Sequence, residues 1–374
     1  MYRAVTILST GGTIAMSGDR MAVPALDGAA LVAAVPALAD YPGLEVRSVC
    51  NLPGSHLDTP DALVIAQAAL AEAARGRGVV VTHGTDTLEE TAYLTDVMYG
   101  EDAPIVFTGA IRPASAPGAD GPANLSDAVA LAASIAGGGL GVVVVFAGRV
   151  HAARYVRKMD STAAEPFGSP HGGAIGVIHE GRVNIGTFPV RRPPLSPTHL
   201  DLRVPIVPTW LGDDGALIRL AAMDSADGLV VSTLGAGHLG PRALAALRDA
   251  VTRIPVVATT RPERGAILYE TYGFEGKEAD IRELAVAAGG ADEQHRRPIA
   301  RPCRPPRQRQ QPALLAQTVV VHQEAAAADR RDAAWPHAHM VSANSSRPIS
   351  MRRISLVPAP ISYSLASRHK RPSG

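Results

Sequence analysis

Four unbroken apolar runs, "AVTILST", "GVVVTHG", "APIVFTGA" and "GVVVVFAG", punctuate the first 150 residues. Between them lie stretches with helical spacing: "GAALVAAVPAL", "DALVIAQAALAEAARG", "TLEETAYLTDVMYG" and "PANLSDAVALAASIAGG". Strands apolar on both faces, alternating with helices, imply a mostly parallel sheet covered on each side. The expected fold class is therefore α/β, with a larger, doubly wound N-terminal domain. A second block, "LIRLAAMDSADGLVVSTLGAGHLGPRALAALRDAVTRIPVVATTRPERG", reads as helix, strand, helix, strand. It predicts a smaller α/β domain beyond the Pro-rich "FPVRRPPLSPTHLDLRVP".

The remainder is unlike either block. The net charge of +1 averages two regions: residues 291–374 carry 14 Lys+Arg against 5 Asp+Glu, and residues 1–290 carry 22 against 30. All but one of the 36 glycines lie before residue 291, and six of the seven glutamines lie after residue 290. Segments such as "RRPIARPCRPPRQRQQPALL" hold no period of 3.6 or 2, so an irregular C-terminal tail is expected. A basic arm for nucleic acid is the functional alternative. The Arg residues are scattered among Pro and Ala, with only Trp335 and Tyr363 available to stack on bases, so nucleic acid is not the expected partner. No run reaches the roughly 18 apolar residues of a membrane span. The N-terminus enters a strand pattern directly, which predicts a cytoplasmic protein. Cys50 and Cys303 are too few for a disulfide framework or a cysteine-based zinc site.

Ligands in parallel sheets bind beyond the carboxyl ends of the strands. Four such ends read "STGGT", "THGTDT", "FTGAIRP" and "FAGRV". "TGGTIAMSG" lacks the spacing of a dinucleotide fingerprint and the lysine of a P-loop. Its amides beside Gly11 and Gly12 suit an oxyanion or carboxylate, although Gly-Gly-Thr alone equally reads as a strand-to-turn junction. "VTHGTDTLEETAYL" is more informative, with His83, Thr85, Asp86 and Thr87 crowded at one strand end. Thr87 with Glu90 fits a capping box; Thr85 and Asp86 have no such explanation. A threonine hydroxyl needs a base before it attacks a carbonyl. The chain has three lysines, Lys158, Lys277 and Lys370, and Lys158 follows the "FAGRV" strand end. Partly desolvated lysines serve as bases. Thr85, Asp86 and Lys158 would form a hydroxyl-activating triad.

"TGGTIA", "HGTDTLEETA", "TGAIRP…GADGPANL" and "ARYVRK…PFGSP", in that order and spacing, resemble the bacterial L-asparaginase family over about residues 4–280. The resemblance implies hydrolysis of L-asparagine, with L-glutamine as the alternative substrate, through an acyl-enzyme on threonine, with no metal or cofactor. Carried over by motif, Thr13 is the nucleophile and Thr85, Asp86 and Lys158 are the second catalytic set. Gly12, Ser55, His56 and Asp86 would bind substrate, Ser55 at its α-carboxylate and Asp86 at its α-ammonium. Thr10 is left as a strand-end hydrogen-bonder. A homodimer or homotetramer is implied, with Glu270 as a candidate acid contributed to a neighbouring subunit. The implied division is 1–186 catalytic domain, 187–204 linker, 205–283 partial second domain and 284–374 irregular tail.

Three departures qualify the resemblance. "MSGDRMAVPALDG" lacks the tyrosine that the family usually carries in the loop after its first motif. His56 stands where the family often has Gln, and a turn histidine is its plainer reading. After "ETYGFEGKEADIREL" the family's last strand and helix give way to the Arg/Pro/Gln tail, as a shifted reading frame in a GC-rich gene would produce. A genuine extension with a partner is the other explanation. Loss of that strand and helix would expose apolar surface and leave an inactive, asparaginase-like binding protein. An amidase acting on tRNA-linked amino acids is a third expectation.

Overall fold

The computed structural model describes residues 3–18, 21, 23–41, 43–197, 200–223, 225–284 and 287–288. β1 (Val5–Gly11) leads into a small ribbon of β2 (Met16–Ser17) and β3 (Val23–Pro24), then α1 (Gly28–Ala33) and β4 (Glu45–Leu52). There follow α2 (Thr59–Ala73), β5 (Gly78–Thr82), α3 (Leu88–Met98), β6 (Ile105–Thr108), α4 (Gly121–Ala133) and β7 (Val142–Phe146). The chain then turns back through β8 (Arg149–Ala152), the pair β9 (Arg157–Lys158) and β10 (Phe167–Gly168), and the hairpin β11 (Gly176–His179) and β12 (Arg182–Ile185).

Eight of these strands form one sheet in the order β12-β11-β8-β7-β6-β5-β1-β4. β4, β1, β5, β6 and β7 run parallel; β8, β11 and β12 close the other edge antiparallel. The sheet is wound on both faces, and the alternation of side chains divides its core. Ile7, Val80, Val106 and Val143 face Leu31 of α1 and Leu125 and Val129 of α4. Leu8, Val79, Val81, Ile105, Phe107 and Val144 face Ile65 and Ala69 of α2 and Leu88 and Ala92 of α3. In chain order the parallel strands lie 2-1-3-4-5, which puts the topological switch point between β1 and β5 and opens a crevice at their carboxyl ends.

The helix ends follow local chemistry. α2 opens at Thr59, with Asp58 and Asp61 exchanging capping bonds of 3.1 Å, and it closes before Gly76 at φ +77°. α3 departs from expectation. Thr87 occupies the N-cap position but makes no cap bond; its hydroxyl donates to Gly54 O at 2.8 Å instead.

Among the described residues, no helix or strand lies between Ile185 and Ile206. Part of this stretch straps α2 and α3: Thr59 Oγ1 donates to Leu200 O at 2.8 Å and Leu195 N to Val97 O at 2.7 Å. The second sheet is parallel throughout, in the order β13 (Ile206–Pro208), β14 (Leu229–Thr233), β15 (Val256–Thr260), β16 (Ala287–Ala288). It carries α5 (Ala216–Met223), α6 (Pro241–Ala250) and α7 (Glu278–Glu283), packed through Ile218, Leu244, Leu247 and Ile281. β16 corrects one expectation: irregular chain does not begin at residue 284, because Val257 and Ala258 pair with Ala287 and Ala288. The rest of the expected tail lies outside the described residues.

Candidate active site

Three loops meet at the switch point, and four glycines, Gly11, Gly12, Gly54 and Gly84, let them meet. β1 bulges at Gly11, and Gly11 and Gly12 both hold positive φ, +102° and +79°. A Cβ on Gly12 would stand 2.4 Å from Gly84 Cα, and one on Gly84 would stand 2.6 Å from Gly54 N. The turns after β1, β4 and β5 therefore touch backbone to backbone. Each delivers a residue singled out by its motif: Thr13 from the first, Ser55 from the second, Thr85 and Asp86 from the third.

Thr13 opens a 3-10 turn over Thr13–Ala15 and is half-buried, while Ile14 and Ala15 anchor that turn in the core. Ser55 and His56 lie in a second 3-10 turn, Gly54–His56, and both are exposed. Gly12 acts by making room. Its N–H donates to Leu52 O at 3.1 Å, so the Gly12 amide is not the anion donor that the glycine pair suggests. The strand-end threonines divide by role. Thr10 Oγ1 donates to Thr82 O and Thr108 Oγ1 to Val145 O, each at 2.8 Å, tying neighbouring strands together. His83 is fully buried; its Nδ1–H donates to Gly84 O at 2.9 Å, and burial pushes the imidazole down to about 4, so it stays neutral.

Lys158 comes from the two-residue strand β9, yet its Nζ lies 3.0 Å from Thr85 Oγ1 and 2.7 Å from Asp86 Oδ1. Thr85 is 6% exposed. The Lys158 side chain is 18% exposed and that of Asp86 64%, so the set grades from interior to solvent. A cavity of about 280 Å3 opens there, lined by Asp86, Lys158, Met159, Asp160 and Ser161. Glu270 is 83% exposed and pairs with Arg282 at 3.6 Å in its own domain.

Residues not singled out by motif hold this frame. Asp120 accepts the amides of Ile111 and Arg112 at 3.0 and 2.8 Å. Asn124 bridges Gly109 O and the Ala147 amide, each at 3.0 Å, fixing the turns after β6 and β7. Both lie inside "GADGPANL", where spacing shows a helix start and nothing of these reaches. Glu89 accepts the main-chain N–H of Lys158, and its other oxygen lies 3.2 Å from Arg157 Nε.

The chain matches the family model "Asparaginase, N-terminal" over residues 4–191 and "Glutaminase/Asparaginase C-terminal domain" over residues 203–297. It belongs to the asparaginase family. A Bacillus licheniformis L-asparaginase is 32% identical, the match covering 77% of this chain and 91% of that one. A probable L-asparaginase of Deinococcus radiodurans is 37% identical over 75% and 86% of the two chains. The crystal structure of a probable cytoplasmic L-asparaginase from Campylobacter jejuni superposes with a TM-score of 0.66 at 31% identity, covering 72% of this chain and 86% of that one. The match to the second family model runs on to residue 297, past about residue 280 where the sequence motifs placed the end of the resemblance. Among the described residues no helix is long and apolar enough to cross a membrane.

Proposed function

We propose that this asparaginase-family protein hydrolyses the side-chain amide of L-asparagine to L-aspartate and ammonia. The observation that carries the reading is Lys158 Nζ within hydrogen-bond reach of both Thr85 Oγ1 and Asp86 Oδ1, at the switch point that also delivers Thr13 and Ser55. Thr13 Oγ adds to the amide carbon and loses its proton; the C–N bond breaks, and the nitrogen leaves as ammonia with a proton returned to it. Water then cleaves the threonyl ester and restores the hydroxyl. In this reading Thr85 and Lys158 move the protons and Asp86 holds Lys158 and the α-ammonium. Ser55 binds the α-carboxylate, Gly12 lets the backbone approach, and His56 borders the substrate. No metal or cofactor takes part.

L-Glutamine is the second substrate of this proposal, and a cytoplasmic homodimer or homotetramer is its form. Residues 1–186 and 205–283 act as the two domains, 187–204 as linker, with β16 added to the second. The inactive alternative depended on a truncated second domain. The match through residue 297 and the pairing of β16 favour activity. Purified full-length protein should release ammonia and aspartate in equal amounts from L-asparagine, and ammonia and glutamate more slowly from L-glutamine. Folded protein that releases neither would overturn the reading; release only in the presence of aminoacyl-tRNA would replace it with the tRNA-linked amidase.

A further inference from the structure

We propose that Glu89 is the positioning residue that sets Lys158 for the reaction, holding it by its main chain; this rests on the asparaginase reading above. β9 is two residues long, and its sheet partner is the equally short β10, through Phe167↔Lys158 and Gly168↔Arg157. A ribbon of that size does not fix a side chain to within a fraction of an ångström. α3 supplies the missing constraint. The carboxylate of Glu89, 13% exposed, accepts the N–H of Lys158 with one oxygen and lies 3.2 Å from the Arg157 guanidinium with the other. Both residues of β9 are thereby clamped to one side chain by charge-assisted contacts.

The sequence position of the clamp matters. Glu89 stands three residues after Asp86, at the junction of the β5 turn and α3. The same junction therefore holds Lys158 at both ends: Asp86 and Thr85 at Nζ, Glu89 at the peptide nitrogen. A movement of this junction carries both attachments of Lys158 together. A first-turn acid is also favoured by the helix dipole, and Glu90 stands in the same first turn. The dipole gives no reason for Glu89 to reach the Lys158 amide, 69 residues along the chain.

The test compares Glu89→Gln, Glu89→Asp and Glu89→Ala in the full-length protein. Gln keeps a carbonyl oxygen at the same reach, Asp withdraws the carboxylate by one methylene, and Ala removes it. Displacing the base by about 1 Å is expected to lower kcat about 10²-fold. Glu89→Ala should show that loss with little change in KM for L-asparagine. Glu89→Gln should stay within about tenfold of the parent, its neutral bond being weaker than a charge-assisted one, and Glu89→Asp should fall below Glu89→Gln. Hydrogen exchange at the Lys158 amide should quicken in the Ala and Asp proteins and stay slow in the Gln protein. Unchanged exchange, an Asp protein as active as the Gln protein, or equal impairment of Gln and Ala would overturn the proposal. If the parent releases no ammonia, the functional reading fails, while the exchange measurement still decides the clamp. Should Glu89→Ala not fold, the order of Gln and Asp decides it.

Discussion

The two halves of the candidate site are built differently. The half with Thr85, Asp86 and Lys158 is cross-linked: Lys158 is bonded at Nζ and at its amide, Thr85 is buried, and Thr87 ties the same turn to Gly54. The half with Thr13 is anchored from behind by Ile14 and Ala15, and continues into a ribbon two residues wide with Met21 and Val23 exposed. Proton transfer tolerates little misplacement. A nucleophile on a turn that borders solvent leaves room for substrate to enter. On the proposed reading, fold and chemistry share side chains in the cross-linked half and separate in the open half.

The largest effect should come from Thr13→Ala. Loss of a nucleophile removes the covalent route, at a cost of at least about 10³-fold in kcat. The hydroxyl is half-buried on a surface turn, so the thermal midpoint should hardly move. A variant that kept more than about a tenth of the parent rate, a loss of only ~1.4 kcal/mol in barrier, would remove Thr13 from the mechanism and with it the division between the halves.

Lys158→Met comes next. General acid–base groups contribute about 10²- to 10⁴-fold, and the amine is assigned to move protons. Turnover should fall far more than substrate affinity. Weaker binding with near-normal turnover would recast Lys158 as a binding residue and make the two halves alike.

Lys158 stood out as a candidate because lysine is scarce in this chain and it follows a strand end, whereas Thr13 became a candidate only through the resemblance of "TGGTIA" to the asparaginase family. The buried parallel strands β1, β5, β6 and β7 were legible as unbroken apolar runs. β4 was not. It is an edge strand whose Glu45, Val46, Arg47 and Ser48 are exposed, so no run or alternation marks it, although it delivers Ser55. The antiparallel strands β8, β11 and β12 are four residues each and also escaped. Thr87 and Glu90 look like a capping box, but a cap competes with any nearby acceptor, and Gly54 O is brought close by strands distant in sequence. Glu89 was hidden for the same reason: its partner is a main-chain amide, which has no signature in composition.

The glycine junction offers a third, smaller test. Gly84→Ala would place a methyl 2.6 Å from Gly54 N and 2.7 Å from its Cα, where only backbone could yield. Overpacking of this kind costs up to about 3 kcal/mol, and the shift would fall between the turns bearing Ser55 and Thr85. Both stability and turnover should drop. Gly76→Ala is the control: its φ is +77° but nothing lies within 4 Å of the new Cβ. It should cost about 1 kcal/mol from backbone strain alone, with turnover intact. Equal loss of activity in both would mean that the junction does not transmit to the site.

The smallest effect concerns Glu90, which lies in the same first turn of α3 as Glu89. Burial, and then the neighbouring Glu89 carboxylate, push its carboxyl up from the ordinary 4.5 to about 7. Between those two values the folded protein holds a proton that the unfolded chain has released. Stability therefore falls as pH rises from about 4.5 to about 7, and is level on either side as far as this group is concerned. The whole interval is worth at most about 3 kcal/mol at ~1.4 kcal/mol per pH unit. Glu90→Gln keeps a neutral side chain of the same size, so it should match the parent below pH 4.5 and exceed it in thermal midpoint at pH 8. A gain that was the same at every pH would come from packing rather than ionisation. A loss at pH 8 would mean that the Glu90 carboxylate is wanted in its charged form. The first turn of α3 would then carry two acids that the fold needs charged, Glu90 as well as Glu89, and the upward shift of Glu90 would be offset by a partner for its carboxylate.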